Sequence, residues 1–167
     1  MNISIVPVSK DEKEILRNLL EKYDYEFSQY HKRDVNDLGL YGYDYLDSYW
    51  TEKNRFPYFI KIDNKLAGFI MVDDYPIINL ETNYTMANFF VLYKYRKRGI
   101  GTYAVKSIFD TYKGKWGLMY HPQNIPSKYF WHKVVKEYTN GKYEIIKDNK
   151  EANYEDGTIA EILVFET

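Results

Sequence analysis

The chain has 167 residues, 45% hydrophobic and 28% charged, with a net charge of −1. That length and balance suit one globular domain with its own core, and the near-neutral charge argues against a general nucleic-acid binder. Cysteine is absent, which excludes disulfides, thiolate metal sites and a cysteine nucleophile.

The three histidines, His31, His121 and His132, are too scattered for a metal constellation, so no metal is expected. No run reaches the ~18 apolar residues of a membrane span, and the N-terminus carries no apolar signal-type segment. A soluble, cytoplasmic protein without a membrane partner is the expectation.

Asn2 to Val8 reads as a first strand, with Pro7 suited to an edge. Ser9-Lys10-Asp11-Glu12 is a capping box. Behind it Ile15, Leu16, Leu19, Leu20, Tyr23, Phe27 and Tyr30 mark one face of a long helix. The segment 34–43 is loop-like, with Gly39 and Gly42, and Asp44 is the expected cap of a short second helix. Two antiparallel strands follow, Phe56 to Ile62 and Lys65 to Val72, joined at Asp63-Asn64. Gly68 inside the second predicts a bulge or a close contact. After a polar connection, a central strand spans Thr85 to Tyr93 and a helix runs to Tyr112, where Lys113-Gly114 stops it. Lys115 to Tyr120 is a fifth strand. Asn124 caps a helix with Pro126 in its first turn and Phe130, Trp131, Val134, Val135 and Tyr138 on its apolar side. Lys142 to Lys147 and Thr158 to Phe165 close the chain as strands. The order β-α-α-β-β-β-α-β-α-β-β is a single α/β (α+β) domain over 1–167.

The stretch from Asn88 to Ser107 carries the chemistry. An apolar strand, Phe89-Phe90-Val91-Leu92, leads into the basic residues Lys94, Arg96, Lys97 and Arg98, then Gly99 and Gly101, then a helix. A helix start offers free N–H groups and a positive dipole end, and glycines let an anion approach them. No P-loop pattern is present, and the dinucleotide fingerprint fits poorly. Val91-x4-Arg96-x-x-Gly99-x-Gly101 resembles instead the acyl-CoA signature of the GNAT superfamily of N-acetyltransferases. Asn124-x-x-Ser127-x-x-Phe130-Trp131 is similar to that family's N-x-x-A-x-x-F-Y segment, with serine for alanine and tryptophan for tyrosine. The Phe89-Phe90-Val91 strand and the Phe130-Trp131 pair look like a bacterial branch of the superfamily.

The resemblance implies a mixed, mostly antiparallel sheet that splays between strands 4 and 5, near Val91 and Tyr120. It implies acetyl-CoA as co-substrate, its pantetheine arm pairing with the backbone of Val91 and Tyr93. Its pyrophosphate would rest on the N–H groups of Arg98, Gly99, Ile100, Gly101, Thr102 and Tyr103, with help from Arg96 and Arg98. Asn124 and Trp131 would border the cofactor. The expected reaction is direct acetyl transfer to a small-molecule or protein amine, by a monomer or a homodimer.

Such a transfer needs a proton acceptor for the amine and N–H donors for the oxyanion. The family's strand-4 glutamate is missing, since Met86, Ala87, Asn88 and Phe89 stand there. Glu81, with Asp73 and Asp74, is the nearest upstream carboxylate, and Tyr120 and His121 end strand 5 close to the expected thioester. In the loop after the first helix, Asp34, Tyr41 and Tyr43 suit a cationic amine through ion pairing and cation–π contact. Two other readings stand beside the enzyme: an acyl-CoA-binding module of the same fold, and a nucleic-acid binder using the basic 94–98 loop.

Overall fold

The expected capping box forms. The Ser9 N–H donates to Glu12 Oε2 at 3.1 Å, and helix α1 follows over Lys13–His31. It stops where Lys32 turns left-handed, at φ 59°. The computed structural model describes all 167 residues. The strands are β1 (Ile3–Pro7), β2 (Phe56–Ile62), β3 (Lys65–Asp73), β4 (Tyr84–Val91), β5 (Lys115–Tyr120), β6 (Tyr143–Ile146) and β7 (Glu161–Glu166). The other helices are α2 (Ser48–Thr51), α3 (Ile100–Thr111) and α4 (Ile125–Thr139).

All seven strands form one sheet in the order β1-β2-β3-β4-β5-β7-β6. Every neighbouring pair is antiparallel except β4 and β5, which run parallel. The element order is the one the sequence predicts. The placement of β7 between β5 and β6 is new, because long-range pairing leaves no local signature.

Alternating side chains feed two cores. On one face α3 and α4 cover Ile60, Ile70, Met86, Trp116 and Leu163. On the other, Leu16 and Leu20 of α1 with Leu46 cover Phe59, Phe69 and Phe90.

Three boundaries differ from the reading of the sequence by more than one residue. β4 ends at Val91 rather than Tyr93, because residues 93–95 wind into a 3₁₀ turn. α2 begins at Ser48, with Asp47 rather than Asp44 before it. β7 begins at Glu161, since 154–158 closes as a turn with the Tyr154 N–H on the Thr158 carbonyl at 2.9 Å.

Two irregularities shape the centre of the sheet. The β3–β4 register steps from Met71↔Asn88 to Val72↔Met86, so Ala87 is an extra residue that bulges β4. Such bulges re-aim side chains locally. Parallel pairing of β4 with β5 is confined to Tyr84↔Trp116 and Thr85↔Gly117. Beyond that point the two strands diverge towards Val91 and Tyr120.

Candidate active site

The divergence leaves one side of β4 without a strand partner from Met86 to Val91. Leu92 N–H donates to the Ala67 carbonyl on the β3 side, at 2.8 Å. Alternation along a strand then directs the N–H groups of Phe89 and Val91 into the gap. At the open end of this gap stands the start of α3. Gly99 is left-handed (φ +75°), with open space where a side chain would be, and no side chain caps the helix. The first three amides of the helix, at Ile100, Gly101 and Thr102, make no backbone hydrogen bond. The Tyr103 N–H is already donated to the Gly99 carbonyl at 3.0 Å, so Tyr103 drops out of the predicted amide set. The Ile100 side chain is buried, leaving only its amide for a ligand. A Cβ on Gly101 would lie 3.1 Å from Phe89 Cζ and 3.4 Å from Phe130 Cε2. Those two rings stack at 5.2 Å beneath it.

Around this cradle the predicted cations divide. Arg96 is turned away from it. Its guanidinium grips Glu26 of α1 through two hydrogen bonds of 2.7 and 2.6 Å, and its Nε donates to the Val91 carbonyl at 2.6 Å. Arg96 thus ties the end of β4 to α1. Burial opposes its charge, but Glu26 more than compensates and holds it protonated. The exposed Tyr93 ring lies over the guanidinium at 4.1 Å. Tyr93 belongs to the 3₁₀ turn, so it offers no strand edge, contrary to the expectation. Arg98 is exposed, with no ion pair and only a 3.6 Å contact to Met1 Sδ. With Lys94 and Lys97, also exposed and in no ion pair, it is available to an anionic ligand. Asn124 is buried and caps α4, its Oδ1 accepting the Ser127 N–H at 3.2 Å. Trp131 is buried in the core, edge-on to Phe89 at 5.3 Å.

The three candidate catalytic residues stand in different surroundings. Glu81 is exposed and lies before β4, at the end where β4 and β5 are paired. The length of β4, on the order of 20 Å at strand rise, separates it from the cradle. Tyr120 faces the α3–α4 core. Its hydroxyl donates to Glu161 Oε2 at 2.6 Å and so accepts from His132 Nε2, also at 2.6 Å. Burial and then the Glu161 carboxylate push the phenol far above its usual range, so its proton stays where it is. His121 is buried, with Nδ1 accepting the Gln123 N–H at 3.2 Å. The ring proton therefore sits on Nε2 and points at Asp156 Oδ2, 3.1 Å away, and no lone pair is free for an amine. Tyr120→Phe is the check. Turnover is expected to stay within about threefold, while loss of the Glu161 bond lowers stability by about 1 kcal/mol in urea denaturation.

The wall facing the gap from the α1 side is assembled from distant segments. Glu21 accepts the N–H groups of Tyr41 and Gly42, both at 2.9 Å. Arg33 Nη2 donates to the carbonyls of the same two residues at 2.8 and 3.0 Å. The loop so strapped to α1 delivers Tyr43, whose hydroxyl donates to Asn88 Oδ1 beside the β4 bulge at 2.8 Å. Burial pushes the Tyr23 phenol up to about 12, with Asn88 lowering it and Asp24 raising it further. Tyr154 stacks on His31 and lies tilted against His121, 5.0 Å from each. Tyr43 also lines a cleft of about 480 Å³ with Tyr49, Arg55, Asp73 and Tyr75. Asp73 and Asp74, the other upstream carboxylates, are engaged by Arg55 at 3.3 Å and by Asn54 at 3.0 Å. Tyr41 meets this wall through its backbone, and Asp34 stays exposed outside it.

Asn88, Tyr23 and the buried Asp24 line the α1 side of this region, and sequence reasoning singled out none of them. For Asp24 a signal exists: a carboxylate four residues after Leu20 and three before Phe27, on the apolar stripe of α1.

The model of the Acetyltransferase (GNAT) family matches residues 14–135. Among proteins of curated function, none matches the sequence. Solved structures share the fold. An acetyltransferase from Thermus thermophilus superposes with TM-score 0.71 at 13% identity, covering 100% of this chain and 98% of that one. A GNAT family acetyltransferase from Elizabethkingia anophelis, with acetyl-CoA bound, gives 0.60 at 18% identity, with 99% of each chain covered. The PaiA N-acetyltransferase from Thermoplasma acidophilum, in complex with coenzyme A, gives 0.60 at 16% identity over 100% of each. The sheet that parts beyond Thr85, the uncapped glycine turn at its open end and the family match across most of the chain agree: the chain belongs to the GNAT family of acetyltransferases.

Proposed function

We propose that this protein is an N-acetyltransferase that moves an acetyl group from acetyl-CoA to a primary amine by direct transfer. The observation that carries the reading is the meeting of two features. A gap opens between β4 and β5 beyond Thr85 and Gly117, and the uncapped start of α3 lies at its mouth. Open space at Gly99, three free amides and the unpaired Arg98 fit a pyrophosphate. The free strand edge of β4 fits an amide-bearing arm. When bound, acetyl-CoA supplies an activated acyl carbon.

The chain's own contribution is positioning and polarity. Phe89 and Val91 aim N–H groups into the gap, where an oxyanion is stabilised by such fixed donors. Asn88 and Tyr43 hold the bulge from the α1 side. The α3–α4 face is filled by core side chains, so the amine enters from the α1 side. Holding two reactants in register can by itself account for much of an acyl transfer rate.

A second reading is a binding module that holds acyl-CoA without efficient chemistry. It is favoured by one observation: Tyr120 and His121 are committed to Glu161 and Asp156, and no carboxylate stands on the free edge of β4. The basic-loop nucleic-acid reading weakens, since Arg96 is neutralised by Glu26.

Calorimetric titration with acetyl-CoA tests the site. Micromolar binding is expected. Arg98→Ala should weaken it about tenfold or more, the value of a charge-assisted contact. Gly99→Glu should abolish it, because a left-handed backbone is strained without glycine and a carboxylate repels phosphate. Retained binding in both variants would remove the cofactor from this loop. Thiol release with an amine panel then separates enzyme from module.

A further inference from the structure

Asp24 is the one buried carboxylate on α1, with its side chain 10% exposed. One oxygen, Oδ2, is buried and has no hydrogen-bond partner. The other has a single cation near it, Arg33 at 3.6 Å, and Arg33 also stands 3.6 Å from Glu155 and serves two loop carbonyls. A half-satisfied buried carboxylate is costly and calls for an explanation, a catalytic role or a bound partner among them.

The surroundings fit a cation. The charge of Asp24 is felt by Tyr23, the preceding residue, and by Tyr43, whose hydroxyl donates to Asn88 at the β4 bulge. These are the residues that face the gap from the α1 side. The charged groups around Asp24 are Glu21 on α1, Glu155 on the 154–156 turn and Arg33, so two carboxylates stand beside one guanidinium. An aromatic, net-negative enclosure with an unfilled acceptor oxygen matches an alkylammonium group.

We propose that Asp24 receives the acceptor: its Oδ2 pairs with the ammonium of a cationic aliphatic amine and takes one proton from it. This rests on the acetyl-transfer reading above. The amine, now neutral, forms the N–C bond to the acyl carbon as the C–S bond breaks. The second amine proton leaves with the departing thiolate as thiol. Asp24 then loses its proton to solvent. Burial raises the Asp24 carboxyl to about 6, a value that suits a proton acceptor working near neutral pH. Tyr43 and the turn bearing Glu155 must yield to admit the amine.

The test uses carboxyl ¹³C NMR of aspartate-labelled full-length protein, with Asp24→Asn to assign the Asp24 signal. The probes are n-hexylamine and a glycyl-lysine peptide, each with and without coenzyme A. The Asp24 midpoint is expected near 6 in the free protein and at least about one pH unit lower with an amine seated, because an ammonium favours the charged carboxyl. Asp24→Asn should raise the acceptor KM tenfold or more, flatten the acidic limb of kcat/KM, and leave acetyl-CoA affinity unchanged. Its stability should equal the parent below about pH 4 and exceed it above about 6. The parent carries a raised folded-state pKa, and its stability falls as pH climbs through that window. A midpoint indifferent to both amines, or an unchanged acceptor KM and pH limb in Asp24→Asn, overturns the proposal. The NMR titration needs no turnover, so it is read separately from any failure of acetyl-CoA to bind.

Discussion

Gly68→Ala is expected to destabilise the protein by about 3 kcal/mol or more, a large share of the ~5–15 kcal/mol that holds an ordinary domain folded. Gly68 pairs with Val91 across the β3–β4 ladder. A Cβ there would overlap the Phe90 carbonyl oxygen and lie 3.0 Å from its carbon and 3.1 Å from Val91 Cα. The opposing atoms are backbone of the central strand, so no rotamer change relieves the overlap. Either β3 or β4 must move, and β4 is the strand whose free edge borders the gap. Urea denaturation measures the loss. A midpoint shifted by less than 1 kcal/mol equivalent would mean that β4 is not held where the gap requires it. Any surviving folded fraction should bind acetyl-CoA more weakly, because Val91 shifts with the strand.

Arg96→Ala is expected to cost about 2–3 kcal/mol at neutral pH. The Arg96 and Glu26 side chains are 30% and 16% exposed, so solvent screens the pair only partly. Removing the arginine strands a half-buried carboxylate and orphans the Val91 carbonyl. The loss should be largely recovered in the double variant Arg96→Ala/Glu26→Gln, which removes the unpaired charge. Denaturation of the four proteins of that cycle gives the coupling, expected at about 1–2 kcal/mol. Acetyl-CoA affinity should fall only modestly in Arg96→Ala, in contrast to Arg98→Ala. An equal loss in both would return Arg96 to the phosphate contact that the sequence motif suggests.

The contrast between these two arginines shows what was legible. The motif specifies the cation at 96, the basic run adds another at 98, and nothing local tells their roles apart. Their roles are set by Glu26, seventy residues earlier on α1, and contacts of that range leave no trace in local pattern. The glycines were legible for a physical reason: the left-handed backbone at Gly99 favours glycine, and a Cβ at Gly101 would crowd the Phe89 and Phe130 rings. Tyr120 and His121 show the opposite case. Their place at the end of β5 follows from the sequence, but the β5–β7 pairing sets Glu161 opposite Tyr120, and Asp156 arrives from the turn before β7. Both partners take up the groups that proximity to the thioester had suggested for chemistry.

Hydrophobic period, capping and turn residues by themselves determined the elements of this protein, their order and the glycine loop, because each depends on neighbours within a few positions. Only the tertiary structure decided that β7 lies between β5 and β6, that β4 and β5 part after Thr85, and that Ala87 bulges beside Asn88. It also brought Tyr43 to Asn88 and left one oxygen of Asp24 buried without a partner. Strand register and burial arise from the whole packed chain, and a buried carboxylate reads in the sequence like any aspartate on the surface.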